Sequence, residues 1–421
     1  MVPFQTVGAR VFFSWGQEFE RVLHVSPSSA SNLLDGGCKL NTVLRFRDNT
    51  PPKSIPTSGK TELGTVEHNL YERAYSPRSS NSLPEGEWGL SDAESHFDDL
   101  VEEQEKKLVE SSVDSHLVPL SNMAGFDNIR LDACVTAVEK RRVASNWSRK
   151  TDSQISGTRL LGPEVEVWNL TKPLAGGRPG KEEYSVFGKI DLVTLDEKGQ
   201  VEIVDHKTGQ MIDDDGLVKP TYETQIRVYA ALWRMTAEQN GWDGALRNAA
   251  IEDPKKQERH SIVIEPEICH DTLERVLRGL DSINGAIEED SRVESVALKL
   301  ANPSPDTCLY CEFRPGCKSF HQSLEAWMRD ADFEFNDIIG EVLSNPISNG
   351  GSEFFQFKIV DTEGKIWLVD GVDSKRYPEV ISCETGSTVA VFGGRCKETN
   401  ITGLHKFFLP HRRSHAFYMQ A

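Results

Sequence analysis

The feature of this sequence that most constrains its fold is a pair of alternating segments joined by a short turn. Residues 184–195, YSVFGKIDLVTL, and residues 201–207, VEIVDHK, alternate apolar and polar side chains with the period of a β-strand. Between them, Glu197-Lys198-Gly199 has the composition of a three-residue hairpin loop, which commonly ends in a left-handed glycine. The two segments are therefore predicted to form an antiparallel hairpin.

This hairpin would bring two aspartates together. Asp191 and Asp205 each lie seven residues from Lys198, so they would face each other with Cβ atoms about 4.5–5.5 Å apart. Lys207 shares the face of Asp205, because alternate residues of a strand point the same way. The hairpin alone is equally compatible with two surface aspartates bridged by Lys207 and with half of a metal-dependent nuclease site.

The metal interpretation rests on the chemistry of the two carboxylates. Carboxylates this close repel each other unless a proton or a cation joins them. Magnesium or manganese binds through one or two carboxylates while keeping several waters. A neighbouring lysine could then orient the attacking water and stabilise charge in the transition state.

The elements around the hairpin predict an α/β domain over residues 1–330, in which helices flank one mixed sheet. Alternation predicts further strands at residues 162–170 and 260–266. Residues 26–46 are predicted to form two short helices on either side of a Gly-Gly break. Helical apolar spacing predicts helices over residues 63–74, 97–112, 127–146, 221–239 and 270–289.

Helical residues could complete the site. Gln225 and Tyr229 are four residues apart and share one helix face. His68 lies in an earlier helix, where a lone histidine is more often structural. Glu164 and Glu166 are candidates for one more inward carboxylate. The strand alternation does not distinguish these two glutamates, and exposed strand residues are the simpler interpretation.

Five sequence segments follow one another along the chain in this order: SPSSASNLLDGGCKLNTVLRF, LGTVEH, GKIDLV, VDHKTG and QIRVY. Over residues 25–320 this order resembles the RecB-like nucleases of the PD-(D/E)XK superfamily. The resemblance implies a restriction-endonuclease-like fold and a deoxyribonuclease that uses Mg²⁺ or Mn²⁺. It implies metal ligation by His68, Asp191, Asp205 and the His206 carbonyl, with Lys207 as the catalytic lysine.

By the same resemblance, Gln225 and Tyr229 would be the Q-x-x-x-Y pair of this family, which positions the site or the DNA backbone. The implied activity is hydrolysis of DNA, single-stranded or at its ends, in repair, recombination or defence. Two alternatives stay open: a catalytically silent nucleic-acid-binding or scaffold subunit of a helicase–nuclease complex, and a zinc-stapled RNA-processing factor.

Three of the eight cysteines form a C-x2-C-x5-C cluster: Cys308, Cys311 and Cys317. Without a secretory signal, a disulfide framework is not expected. The cluster, together with Cys38, resembles the iron–sulfur pattern of AddB subunits and CRISPR-adaptation exonucleases, although Lys39 replaces the usual proline. Four cysteines could hold a 4Fe-4S cluster or zinc, or could remain unligated thiols. The scattered Cys134, Cys269, Cys383 and Cys396 are predicted to be core residues.

Residues 333–421 have a nearly all-β pattern of five strand-like runs, with a short helical piece between the third and fourth. This pattern is the outline of an OB-like barrel. Such barrels bind single-stranded nucleic acid through aromatic stacking and a basic groove, or bind a protein partner. Alternation places Phe355, Phe357 and one of Phe407/Phe408 in the core. The candidate contacts are Phe354, Phe355, Phe357, Trp367, Phe407, Phe408, Arg412 and Arg413.

Charge, motifs and hydropathy limit the classes of molecule that this protein is expected to bind. A net charge of −18 argues against a protein that coats nucleic acid by bulk electrostatics, although it leaves room for a local basic groove. No G-x-x-x-x-G-K-[ST] segment occurs, so any DNA unwinding would need a helicase or another protein partner. With no signal peptide and no apolar run of membrane length, we expect a cytoplasmic protein that does not bind a membrane.

Overall fold

The structure is a computed structural model of the 421-residue chain. It describes residues 15, 18–34, 36–46, 55, 57–75, 88–111, 114–149, 159–170, 184–196, 198–242, 244–309, 311–327, 337–348, 350–351, 353–361, 363–375, 377–397, 404–409 and 416–420.

The described residues form helices and strands in two sheets. The α-helices are α1 (Lys39–Phe46), α2 (Gly59–Tyr75), α3 (Leu90–Glu110), α4 (Phe126–Arg149), α5 (Pro220–Asn240), α6 (Pro266–Glu289), α7 (Val293–Leu300), α8 (Pro305–Leu309), α9 (Lys318–Trp327) and α10 (Pro378–Ile381). Short 3-10 helices lie at Pro27–Leu33, Ser115–Leu117, Leu120–Asn122 and Arg314–Gly316. The strands are β1 (Arg159–Leu170), β2 (Tyr184–Leu195), β3 (Gln200–His206), β4 (Ala245–Asp253), β5 (Glu258–Ser261), β6 (Asp337–Val342), β7 (Ile347–Ser348), β8 (Phe354–Val360), β9 (Ile366–Asp373), β10 (Thr388–Phe392), β11 (Arg395–Lys397), β12 (Leu404–Phe408) and β13 (Ala416–Gln420). None of the described helices is both long and apolar enough to cross a membrane.

The first sheet has the order β1-β2-β3-β4-β5. Its pairs are antiparallel except for β3 and β4, which run parallel. Helices pack on it through buried side chains such as Ile226 and Trp233 of α5, which share one core with Val201 and Ile203 of β3. The predicted mixed α/β sheet flanked by helices is therefore confirmed.

The hairpin has the predicted register. Leu192 pairs with Val204 and Leu195 with Val201, so the ladder is centred on Lys198. Gly199 has φ +72°, the left-handed conformation that the turn requires. This register brings Asp191 and Asp205 to the same end of β2 and β3.

Three local predictions differ from the structure. Residues 27–33 form a 3-10 helix rather than an α-helix. The predicted strand at 260–266 contains only the end of β5. The side chains do alternate in burial, since Ile262 and Ile264 are buried and Val263 is exposed. The hydrogen bonding to β4, however, ends at the Ile262 N–H, which donates to the Ala249 carbonyl. Strand β4 was not predicted, because ALRNAAIED is rich in alanine and lacks the β-branched and aromatic residues that favour strands.

The second sheet contains the five predicted C-terminal strands as β6, β8, β9, β10 and β12, with α10 between β9 and β10. Their order is β11-β12-β9-β8-β6-β10-β13, with β7 beside β8. The pairs among the described strands form an open path rather than a closed barrel, so the OB-like barrel is not confirmed.

Several predicted nucleic-acid contacts in this sheet are core residues instead. Phe357, Trp367 and Phe407 are buried, and the Trp367 Nε1–H donates to Asp361 at 2.8 Å. Burial of Phe357 and Phe407 was expected from their alternation, whereas burial of Trp367 was not. Phe354, Phe355 and Phe408 are half-buried. The predicted contacts Arg412 and Arg413 lie outside the described residues.

The core of the second sheet extends into the segment before it. Cys308, Phe320 and Leu324 share one hydrophobic cluster with strand residues such as Phe357 and Phe392. The cysteine segment therefore packs directly on the C-terminal sheet.

Candidate active site

Strands β2 and β3 place two carboxylates at one end of the sheet. Asp205 is 2% exposed, and the Asp191 side chain is also largely buried. Oδ2 of Asp191 accepts a hydrogen bond of 2.7 Å from the backbone N–H of His206. The end of one strand thus binds the carboxylate of the other, which fixes the two acids beside each other.

Lys207 and Gln225 join Asp205 in a closed set of contacts. Nζ of Lys207 lies 2.5 Å from Oδ2 of Asp205 and donates to Oε1 of Gln225 at 3.0 Å. The amide nitrogen of Gln225, in turn, donates to Oδ1 of Asp205 at 3.0 Å. Gln225 comes from α5 and is buried. This helix therefore holds both members of the Asp-x-Lys pair.

The charges at this site are strongly coupled. Burial, and then the negative charge of Asp205, raises the pKa of Asp191 to about 7. Burial alone would lower the pKa of Lys207, but its attraction to Asp205 and Asp191 raises it. Near neutral pH the site therefore holds a cationic lysine beside a carboxyl group that titrates.

His68 of α2 reaches the same place. Its Nε2 lies 3.8 Å from Oδ1 of Asp191, and its side chain is 35% exposed. The structure thus brings together the residues that the sequence predicted as ligands. Within the described part of the chain, no group of three or more His, Cys, Asp or Glu side chains is arranged to hold a metal ion.

The donor atoms nevertheless suit a hard divalent cation. Two carboxylates and the His206 carbonyl would supply the oxygen ligands that Mg²⁺ and Mn²⁺ prefer, and one imidazole would add a nitrogen ligand. Oδ2 of Asp205 is buried and accepts no aligned hydrogen bond, although the Lys207 ammonium lies beside it. A cation would also relieve the repulsion that raises the pKa of Asp191.

Tyr229 lies one helical turn after Gln225 and packs against β2. A Cβ atom at Gly188 would lie 2.8 Å from Cε1 of Tyr229 and 2.7 Å from Cδ of Pro27. Gly188 is therefore required for the close approach of α5 to the strand that carries Asp191. The Tyr229 ring thus lies against the strand that carries Asp191.

The glutamates predicted as alternatives lie on β1. Glu166 is half-buried and pairs in register with Lys189 of β2. The side chain of Glu164 lies outside the described residues, so the choice between the two stays open.

The side chain of His206 lies among residues that the sequence analysis missed. Nζ of Lys140 lies 3.0 Å from the hydroxyl of Tyr75, 3.3 Å from Nε2 of His206 and 3.8 Å from Oε1 of Glu252. Burial lowers the pKa of Lys140 to about 8, although Glu252 and Asp191 raise it. Burial, and then Lys140, lowers the pKa of His206 well below its usual value. The imidazole is therefore neutral at neutral pH.

One signal in the sequence could have identified Lys140. It lies in the charged run VEKRRVAS, which resembles a solvated helix face. However, it continues the helical spacing of small residues that face the interior: Ala133, Ala137 and Ala144. The partners of Lys140 come from α2, β3 and β4, and no local pattern predicts them.

A cleft of about 540 Å³ opens at the site between the start of α2 and the end of β3. His68 and Lys207 line it, as do Lys60, Lys255 and Tyr222. Lys255 is paired with the buried Glu67 at 2.7 Å. The cleft gives the acidic site an opening with several cations on its walls.

The four predicted cluster cysteines lie around one small cavity of about 20 Å³. The Asn41 amide donates to Sγ of Cys311 at 3.4 Å, and the Phe320 N–H donates to Sγ of Cys317 at 3.4 Å. Burial raises the pKa of Cys308 to about 11 and that of Cys317 to about 12. The structure thus brings Cys38 to the C-terminal cluster, while ligation by the four thiols stays a prediction.

The remaining cysteines follow the prediction where they are described. Cys134, Cys269 and Cys383 are buried in hydrophobic surroundings. The side chain of Cys396 lies outside the described residues.

Comparisons with known proteins place the site in a family. A family model described as the PD-(D/E)XK nuclease superfamily matches residues 24–318, which is more than half of the chain. A solved structure titled "Crystal structure of SSO0001" is 16% identical, with 59% of this chain and 94% of that chain covered and a TM-score of 0.26. No curated protein matches. The family match contains all the candidate site residues and all four clustered cysteines.

Proposed function

The chain belongs to the PD-(D/E)XK nuclease superfamily, and we propose that it is a metal-dependent DNA nuclease that hydrolyses phosphodiester bonds. Members of this superfamily are generally nucleases and typically use Mg²⁺ or Mn²⁺. The observation that carries the proposal is the convergence of Asp191, Asp205 and Lys207 at one end of β2 and β3, with Gln225 bridging the last two.

His68, Asp191, Asp205 and the His206 carbonyl would hold the Mg²⁺ or Mn²⁺ ion. When bound, the ion supplies a Lewis acid for the phosphate and lowers the pKa of a water molecule. The buried acids support this assignment, because their mutual repulsion is what a cation relieves.

The protein side chains have separate tasks in the proposed reaction. Lys207, a cation at neutral pH, orients the attacking water and stabilises the negative charge that develops on the phosphate oxygens. Gln225 fixes the positions of the Asp205 and Lys207 side chains relative to each other, since it forms a hydrogen bond with each. Tyr229 holds α5 against β2 at Gly188, so it acts through the strand that carries Asp191.

The cleft supports a polyanionic substrate. Lys60, Lys255 and Lys207 line it, the last two paired with Glu67 and Asp205, within a chain whose net charge is −18. Because that net charge opposes binding of nucleic acid at a distance, DNA would be held by these local cations. We propose DNA, single-stranded or at its ends, as the substrate.

We also propose that Cys38, Cys308, Cys311 and Cys317 hold a 4Fe-4S cluster, with zinc as the alternative. Support comes from their arrangement around one cavity, although Cys38 precedes the other three cysteines by 270 residues or more in the chain. Four thiols match the ligand count of either cofactor. Such a cofactor would tie the start of α1 to the end of the nuclease domain, for which we propose the bounds 1–330.

For residues 333–421 we propose an OB-like domain that binds single-stranded DNA or a protein partner such as a helicase. Its pairing supports this fold. Strand β10 pairs with β6, and after Gly393 and Gly394 the chain continues as β11, which pairs with β12. Strand β12 then runs parallel to β9. The segment β10–β11 thus contacts strands at both ends of the series β6-β8-β9-β12.

A cleavage assay tests the proposed function. Purified protein would be incubated with end-labelled single-stranded, duplex and circular DNA and with single-stranded RNA, with Mn²⁺, Mg²⁺ or EDTA. The proposal predicts metal-dependent cleavage of DNA, and the labelled ends and circles distinguish exonuclease from endonuclease action. Binding of DNA without cleavage of any substrate would favour a silent scaffold subunit instead.

A further inference from the structure

The residue between Asp205 and Lys207 is held by its side chain as well as by its backbone. The imidazole of His206 stacks on the ring of Tyr75, with centroids 6.1 Å apart and an interplanar angle of 3°. Tyr71 meets it edge-on, at 6.5 Å. His206 is itself 9% exposed. The position of its ring is therefore determined by packing, unlike that of a solvent-exposed residue.

Lys140 provides a hydrogen bond to this ring, and Oε1 of Glu252 lies 3.9 Å from the same ring nitrogen. A lysine ammonium only donates hydrogen bonds, so Nε2 of His206 accepts at 3.3 Å and the Tyr75 hydroxyl accepts at 3.0 Å. Glu252 balances the ammonium charge at 3.8 Å. Lys140 is 6% exposed and is not among the residues that line the cleft, so we assign it no contact with substrate.

The backbone of His206 connects this cluster to the site. Its N–H donates to Asp191, and the next backbone N–H, of Lys207, donates to the carbonyl of Glu252 at 2.8 Å. His206 also pairs with Glu252 in the β3–β4 ladder. Any rotation of the His206 peptide would move Asp205 and Lys207 together.

We propose that Lys140 is a positioning residue of the nuclease site, which fixes the end of β3 through the side chain of His206. The inference rests on the proposed nuclease function and deepens it. Partners of this kind, one contact removed from a metal ligand, typically change activity or metal affinity about 10- to 100-fold when they are lost.

The test compares Lys140→Met with Lys140→Arg, which keeps a donor and a positive charge. Lys106→Met is the matched control, because Lys106 is 69% exposed on α3. The measurements are kcat and KM on the cleaved DNA, the half-saturating Mn²⁺ concentration, the thermal unfolding midpoint, and the ¹⁵N resonances of the His206 imidazole without metal.

For Lys140→Met we expect kcat to fall about 10- to 100-fold or the half-saturating Mn²⁺ concentration to rise by that factor. KM for DNA should be unchanged, and Lys140→Arg should recover part of the activity. The imidazole resonances should shift in Lys140→Met and not in Lys106→Met. Unchanged kcat and Mn²⁺ dependence in Lys140→Met would overturn the inference, as would a loss of activity that the unfolded fraction explains fully.

The experiment distinguishes failure of the proposed nuclease function from failure of the Lys140 inference. If the wild-type protein cleaves no substrate, the nuclease assignment fails, and the imidazole resonances alone decide whether Lys140 positions His206. Unshifted resonances in Lys140→Met would then reject the inference.

Discussion

The backbone N–H of His206 donates a hydrogen bond of 2.7 Å to the carboxylate of Asp191. Through this bond, strand β3 holds the acid of β2 beside its own Asp205. Burial and the negative charge of Asp205 both disfavour ionisation of Asp191, and they raise its pKa to about 7. We therefore expect the site to be most stable when it is protonated or bound to a cation.

The stability of the metal-free protein should depend on pH through Asp191. Its pKa of about 7 in the folded protein lies above the ordinary aspartate pKa of 3.8. The stabilisation by the bound proton is therefore complete below the unfolded pKa and is lost as pH rises through 7. Unfolding by denaturant in EDTA gives the free energy of unfolding of wild type and of Asp191→Asn. Between about pH 4 and 7, this free energy should fall in wild type relative to Asp191→Asn. A difference that stays constant over this range would contradict the assignment.

Added Mn²⁺ should reverse that loss at higher pH. Because the cation binds the folded protein, it should raise the unfolding midpoint of wild type more than that of Asp191→Asn at pH 8. Equal shifts in the two proteins would mean that the ion binds elsewhere.

Gln225→Leu should weaken both stability and cleavage. The variant leaves Oδ1 of Asp205 without its amide donor, which costs about 1–3 kcal/mol in the free energy of unfolding. It also frees Lys207, so kcat should fall about 10- to 100-fold. Gln239→Leu, at an exposed position of the same helix that accepts a hydrogen bond from the Trp168 indole, is the control for cleavage alone and should leave kcat unchanged.

Cys311→Ser should remove the cofactor of the cysteine cluster. We expect anaerobically purified wild type to be coloured and to contain iron and sulfide, and the variant to lose them. Cys383→Ala, which changes a buried cysteine of the C-terminal sheet, should keep them. Zinc without iron in wild type would assign the zinc alternative, and the absence of both metals would reject ligation.

The ion pair between Arg314 and Asp337 should hold the C-terminal sheet on the cysteine segment. Both residues are buried, and two hydrogen bonds of 2.7 and 2.9 Å join them. Arg314→Met leaves a buried carboxylate unpaired, so unfolding should become easier by about 3–5 kcal/mol. Arg292→Met, which breaks an exposed pair, should change little. Similar unfolding curves for the two variants would contradict this role.

Most of the site could be predicted because its residues are close in sequence or lie on regular elements. The turn at Gly199 fixes the hairpin register, and that register alone brings Asp191 to Asp205. Helical spacing then placed Gln225 on α5. These relationships depend on a local turn and on simple periods, which a single sequence displays.

The unpredicted parts depend on contacts that are distant in the chain. Lys140 is buried beside Tyr75 of α2, His206 of β3 and Glu252 of β4, whereas the sequence around it resembles an exposed helix. Strand β4 has little strand propensity and is held by its parallel pairing with β3. Trp367 resembled a stacking residue, but its indole N–H has a buried acceptor in Asp361, and this explains its place in the core.

The most direct test of the central claim is the cleavage rate of Lys207→Ala with Mn²⁺, measured on the DNA that wild type cleaves. Lys198→Ala, an exposed position in the turn of the same hairpin, makes the same change in charge and is the control. We expect kcat of Lys207→Ala to be about 100- to 1,000-fold lower than that of wild type. The variant should still fold and bind DNA, while Lys198→Ala stays as active as wild type. Full activity of folded Lys207→Ala on single-stranded and duplex DNA would contradict the account.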